Sequence, residues 1–164
     1  MQFTVRPISD ADRPRVRELI RKRWGDECVV VHGARYLPHT LRGYMAEDEG
    51  KDLVGLATLV LENAACELVT LDSLEEGCGV GTALVNAVAG EAARSGCTRL
   101  WCITTNDNVH AIRFYQKRGF RIGAVHPGAV ERARRIKPSI PLIGIDGIPI
   151  RDEIELEMKL NSGR

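Results

Sequence analysis

What this chain lacks narrows its reading. None of its 164 residues falls in an apolar window approaching the length of a membrane span, and the opening MQFTVRPISDADRPRVREL has no signal-like apolar core, so a cytoplasmic protein is expected. Neither charge is in excess: 23 Lys and Arg stand against 22 Asp and Glu, which gives no electrostatic reason to expect nucleic acid or an anionic membrane as partner. A small-molecule or peptide substrate is the more natural expectation. The five cysteines, Cys28, Cys66, Cys78, Cys97 and Cys102, are odd in number, scattered and free of any C-x-x-C pair, as reduced thiols are. His32, His39, His110 and His126 stand at no metal-ligand spacing, and no metal site is expected. There are no internal repeats and no low-complexity linker. With 44% hydrophobic residues the chain can bury one core, and residues 1–164 are expected to form one domain.

The patterning alternates between strand and helix periods. Gln2 to Arg6 alternates as a strand, and Ser9 or Asp10 can cap a helix carrying Val16, Leu19, Ile20 and Trp24 on one face and a solvated basic stripe on the other. Glu27 to His32 is an apolar patch of open assignment, and Pro38 to Met45 is expected to be a short helix. Leu53 to Leu61 and Ala65 to Asp72 read as an antiparallel pair, Gly79 to Ser95 as a helix, Thr98 to Thr104 as a strand and His110 to Arg118 as a helix. A strand from Phe120 to about Val125 precedes a Pro- and Gly-rich arm at about residues 131–150. Glu153 to Leu160 alternates as a last strand, expected at a sheet edge. A loop of that length usually carries function or an interface, so the arm is a candidate cover for the substrate site or contact to a second subunit; a homodimer is compatible with these features and required by neither.

The most informative segment is LDSLEEGCGVGTAL, Leu71 to Leu84, where Gly77, Gly79 and Gly81 join a strand to a helix. Backbone N–H groups unscreened by side chains, at the positive end of a helix, make a cradle for phosphate or pyrophosphate and point to a nucleotide-bearing cofactor. Tight packing alone is the competing reading of such a turn. Cys78, inside the cradle, is where a thiol's acidity rises without any catalytic duty, whereas Cys66 and Cys102 read as small core residues.

A second segment, NDNVHAIRFYQKRGF, follows the apolar run Leu100 to Ile103. In this order the two segments resemble the GNAT superfamily of acetyl-CoA-dependent N-acetyltransferases. The first matches that family's cofactor signature at Glu76, Gly77, Cys78, Gly79, Val80 and Gly81; the second matches at Asn108, Ala111, Tyr115, Gly119 and Phe120. The resemblance implies an α/β, GNAT-like (acyl-CoA N-acyltransferase) fold: a mixed, mostly antiparallel central sheet with helices on both faces. It implies acetyl-CoA as co-substrate, held by Leu71, Asp72, Glu76, Gly77, Cys78, Gly79, Val80, Gly81, Thr82, Asn108 and Ala111, and direct attack by an amine in a ternary complex. One departure stands out. The first signature position is usually Gln or Arg, and here Glu76 brings a carboxylate toward a pyrophosphate.

The implied chemistry has a physical requirement. A primary amine of pKa ~10.4 is an ammonium at neutral pH, and freeing its lone pair costs roughly 4.6 kcal/mol, so the site must accept a proton; the departing thiolate must receive one. By resemblance Tyr115 is the acid, with a core tyrosine as the alternative. Glu67 is the candidate base, with an ordinary strand charge as the alternative and Asp72 and Glu62 as fallbacks; strand alternation puts Glu67 on the face of Val69 and Leu71. Leu71 and Asp72 would supply the backbone groups that hold the pantetheine and polarise the thioester carbonyl. Asn108 can hold the pantetheine arm, cap the following helix, or both. Trp24, Tyr36, Tyr44 and the arm fall where the family places its amine acceptor. Two other classes fit parts of the pattern: an S-adenosylmethionine-dependent methyltransferase, which shares the glycine loop but lacks here the acidic residue ending the next strand, and a non-catalytic acyl-CoA-binding domain, motivated by Glu76.

Overall fold

A twisted seven-stranded sheet organises the computed structural model, which describes residues 1–161. In chain order the strands are β1 (Phe3–Pro7), β2 (Val29–Val31), β3 (Ala34–Tyr36), β4 (Arg42–Asp48), β5 (Leu53–Glu62), β6 (Ala65–Ser73), β7 (Arg99–Thr105), β8 (Arg121–His126) and β9 (Glu153–Lys159). The helices are α1 (Arg13–Trp24), α2 (Val80–Arg94), α3 (Val109–Gln116) and α4 (Ala129–Ile136). The main sheet runs β1-β4-β5-β6-β7-β9-β8, with β2 and β3 a separate hairpin. Every neighbouring pair is antiparallel except β6 and β7, which are joined through α2 and run parallel, as a strand–helix–strand unit requires.

The faces of the sheet are covered by helices chosen by their apolar stripes. On one face Val80, Leu84, Val85, Val88 and Ala92 of α2 pack with Leu59, Leu68, Leu100 and Leu156, joined by Tyr115 and Phe120. On the other, Val16, Leu19 and Ile20 of α1 pack on Leu56. The entry to α1 is fixed by Asp12, which accepts from the Ser9 N–H at 2.8 Å and the Ser9 hydroxyl at 2.7 Å. Arg6 bridges Asp12 and Glu47, two buried carboxylates, and its guanidinium holds the carboxyl of Asp12 well below its usual range. The basic stripe of α1 is engaged as well: Arg13 pairs with Asp10, Arg15 with Glu47, and Arg17 and Arg21 with Glu27.

Three expectations change. Pro38 to Met45 is not a helix: one 3-10 turn, Pro38–Thr40, leads into β4, whose Gly43 to Asp48 are drawn into the ladder between β1 and β5. The arm is not loop throughout, because its start forms α4, with Ala129, Val130 and Ala133 buried; Arg134 then ties the remainder by donating to the carbonyls of Ile140, Pro141 and Ile150. The last strand is not an edge. β9 lies between β7 and β8, and β8 is the exposed border. The apolar patch at Glu27 to His32 contains β2.

One feature of the sheet positions everything that follows. The β6–β7 ladder runs from Ala65 opposite Arg99 to Leu68 opposite Cys102 and stops, although β6 continues to Ser73 and β7 to Thr105. Beyond Leu68 the two strands part, and β6 keeps only its β5 partner.

Candidate active site

The glycine loop closes the end of β6 where the strands have parted. Gly77 and Gly79 have φ of 73° and 81°, and a Cβ built on either would meet nothing within 4 Å, so these glycines serve backbone conformation and not packing. Gly79 is the N-cap of α2 and provides no side-chain cap, leaving the first-turn N–H groups directed outward from the helix. Gly81 is different: a Cβ there would lie 3.1 Å from the Phe114 ring, and its absence lets α3 approach α2. Of the competing readings, packing therefore describes Gly81, and an open backbone cradle describes Gly77 and Gly79. Glu76 and Cys78 are exposed at its rim, while Val80 is buried beneath it. Thr82 accepts from Arg118 Nε at 2.8 Å, and the Arg118 guanidinium lies 3.5 Å over the Phe114 ring. A cation thus stands beside the first turn of α2. Sequence reasoning passed over it, though it immediately precedes the Gly-Phe pair ending the second motif.

Asn108 caps α3, its Oδ1 accepting from the Ala111 N–H at 3.0 Å, which leaves its amide nitrogen uncommitted by that bond. Tyr115, one turn on, is buried at 7% exposure. Its phenol sits beside the Cys102 thiol, and burial first of all pushes its pKa well above the ordinary value, so it stays protonated. Burial likewise drives the Cys102 thiol up to about 12. Cys66 and Cys102 are core residues, as their strand positions implied.

Glu67 lies on the opposite face of the sheet. Thr58 pairs with Thr70 and Leu59 with Leu68, so Val69 is an extra residue on β6, a bulge that reverses the alternation. The expected face is therefore corrected: Glu67 does not share a side with Leu71, which packs into the α2 core. It shares a side with Thr70 and Asp72, whose partners Thr58 and Leu56 lie toward α1. Glu67 is 5% exposed and holds both its oxygens in contact: His32 Nε2 is 2.7 Å from Oε1, and the Tyr36 hydroxyl donates to Oε2 at 2.8 Å. Burial and Glu67 raise the Tyr36 phenol, while Glu67 raises the His32 imidazole against the opposing effect of burial. Asp72 accepts from Trp24 Nε1 at 3.2 Å and Arg23 Nε at 3.4 Å, and burial lifts its carboxyl above the usual range in spite of both. Glu62, the other fallback, is exposed at the β5–β6 turn. Tyr44 is buried with the α2 core.

His32, Trp101 and Glu153 were not singled out from sequence, yet they meet here: the His32 and Trp101 rings are 5.2 Å apart, and the His32 N–H donates to the Glu153 carboxylate at 3.1 Å. The available signal was VVVHGARY, two β-rich triplets about a His-Gly pair.

With this geometry in place, the comparisons with known proteins decide the family. The sequence model described as "Acetyltransferase (GNAT) family" matches residues 8–120. The chain belongs to the GNAT family. It is 40% identical over 148 residues to the uncharacterized protein YdhI of Bacillus subtilis (strain 168), covering 90% of this chain and 92% of that protein. In fold it is similar to the IAA acetyltransferase from Bacillus cereus ATCC 14579, with TM-score 0.73, 23% identity, 97% of this chain and 100% of that one covered. A GNAT family acetyltransferase from Elizabethkingia anophelis, whose structure has acetyl-CoA bound, matches with TM-score 0.68 and 20% identity over 96% of this chain and 98% of its own. Among the described residues no helix is long and apolar enough to cross a membrane, and no cluster of three or more His, Cys, Asp or Glu has the arrangement of a metal site.

Proposed function

We propose that this protein is an N-acetyltransferase that moves the acetyl group of acetyl-CoA to an amine of a small molecule or peptide, by direct attack in a ternary complex. The observation that carries the reading is the parting of β6 and β7 beyond Leu68, with an open backbone cradle at its end and proton-handling side chains on opposite faces. The residues fit the co-substrate. N–H groups of Gly77 to Thr82 cradle its pyrophosphate at the positive end of α2, and the free edge of β6 at Leu71 and Asp72 offers ladder bonds to the amide-bearing pantetheine, as an added strand would receive. Asn108 and Ala111 line the α3 side. Glu76 turns outward, so its charge meets the pyrophosphate only across solvent.

The acceptor approaches from the α1 face, between Trp24, Tyr36 and Trp101, where Glu67 anchors the proton-accepting group. Attack forms the N–C bond and breaks the C–S bond. Tyr115, whose buried phenol keeps its proton, donates the one that the leaving sulfur needs. The whole chain acts as one domain in the cytoplasm, and a homodimer would form at β8, where Ile122 and Val125 are exposed.

The test is thiol release from acetyl-CoA across a panel of primary amines, with mass spectrometry of the amine. Amine-dependent release with a 42-dalton gain, about one acetyl group's worth of added mass, is expected. Acetyl-CoA binding without turnover of any amine would replace this reading with a non-catalytic binding domain.

A further inference from the structure

His32 sits in a left-handed backbone conformation at a hairpin turn. It is the first of two residues turning β2 into β3, with φ of 41° followed by Gly33 at 77°, a turn that prefers Asn, Asp or Gly. Tertiary contacts hold it: its N–H on Glu153, its Nε2 on Glu67, and its ring against Trp101. These contacts, to one buried carboxylate and one aromatic wall, fix the imidazole at the edge of the proposed acceptor site.

Three groups form the cluster, and their chemistry separates them. Glu67 is enclosed, with one oxygen facing His32 and the other the Tyr36 hydroxyl. Tyr36 keeps its proton, its pKa raised by burial and by Glu67. His32 is the exposed member, its side chain 31% accessible. Because a carboxylate only accepts, the proton of a neutral imidazole sits on Nε2 and the lone pair on Nδ1. The carboxylates of Glu67 on β6 and Glu153 on β9 favour protonation of that ring, and the cation nearby, Arg99 over Trp101 on β7, is paired to Glu155 and Glu157.

We propose that His32 is the catalytic base, taking the acceptor amine's proton at Nδ1 while Glu67 holds its Nε2–H and Tyr36 fixes Glu67. This rests on the acetyltransferase reading and replaces Glu67 as the atom that receives the proton. In the step His32 takes one proton of the ammonium, the freed nitrogen bonds to the acetyl carbon, the C–S bond breaks, the nitrogen sheds its second proton to solvent and the sulfur takes one from Tyr115. Solvent then removes the proton from His32 and restores that of Tyr115.

The test pairs His32→Gln and Glu67→Gln, assayed by thiol release with spermidine, tryptamine and Ala-Gly-Gly, with calorimetry of acetyl-CoA binding. In the wild type kcat/KM should rise with pH through a group above the ordinary histidine value. His32→Gln should lower kcat by about 100-fold and remove that limb, while Glu67→Gln should keep the limb and move it to lower pH, since the anion that stabilises the imidazolium is gone. Acetyl-CoA affinity should hold in both. A limb retained in His32→Gln and lost in Glu67→Gln makes the carboxylate the base and overturns the proposal. Should His32→Gln fold poorly, NMR titration of the His32 ring in the wild type decides: an imidazole that does not titrate above about 6.5 overturns it. A wild type that binds no acetyl-CoA removes the acetyltransferase reading and this role together; an active wild type with an unaffected His32→Gln removes this role alone.

Discussion

At the proposed cradle, consecutive residues from Glu76 to Thr82 present main-chain N–H groups from one turn of chain, whereas across the sheet the proposed acceptor side is assembled from side chains far apart in sequence. Glu67 meets Tyr36 at a separation of 31 and His32 at 35, Trp24 meets Asp72 at 48, and His32 meets Glu153 at 121. A backbone-built site depends on φ and on the absence of side chains, and it tolerates change in the side chains it does have, such as Glu76. A side-chain-built site depends on registers, bulges and hairpin turns set elsewhere in the chain. The first kind suits an invariant group such as pyrophosphate; the second can be altered one residue at a time, which suits a variable acceptor.

The sharpest contrast is expected at Tyr115, the proposed acid. Tyr115→Phe should lower kcat by about 100-fold or more and leave acetyl-CoA affinity unchanged, read by steady-state kinetics beside calorimetry. On the cradle side, Gly79→Val places a branched residue at φ 81° and should weaken acetyl-CoA by on the order of tenfold. Gly81→Ala instead presses on Phe114 and should lower the melting temperature more than the affinity. Equal effects at the two glycines would break the distinction between backbone and packing.

A smaller effect concerns Asp72, whose carboxyl burial raises above its unfolded value. Between the unfolded and folded pKa the native protein binds more protons than the unfolded chain, so stability falls as pH rises through that window and stays reduced at neutrality. Asp72→Asn should therefore melt higher than wild type at pH 7, the difference closing as pH drops toward the ordinary carboxylate range. Smallest is Glu76→Gln: removal of an exposed like charge should tighten acetyl-CoA a few-fold at low salt and less at high salt.

The same contrast governs what could be read in the sequence. The glycine loop, Asn108 as a cap and the α2 stripe are local patterns, and each was legible because its spacing carries its structure. The bulge at Val69 was not, since nothing in CELVTLD marks the extra residue, and without it alternation places Glu67 on the wrong side of the sheet. β4 carries a pattern that suits either a short helix or a strand; its pairing on both sides decides for the strand. The interior place of β9 follows from β8 returning outside it, a long-range choice that alternation does not encode.

The central claim is that the open cradle and parted strands receive acetyl-CoA, and calorimetric titration of the purified protein with acetyl-CoA tests it most directly. One site of micromolar-range affinity, weakened in Gly79→Val and unchanged in Tyr115→Phe, is the predicted result. No binding of acetyl-CoA, or equal binding by Gly79→Val, would contradict the account.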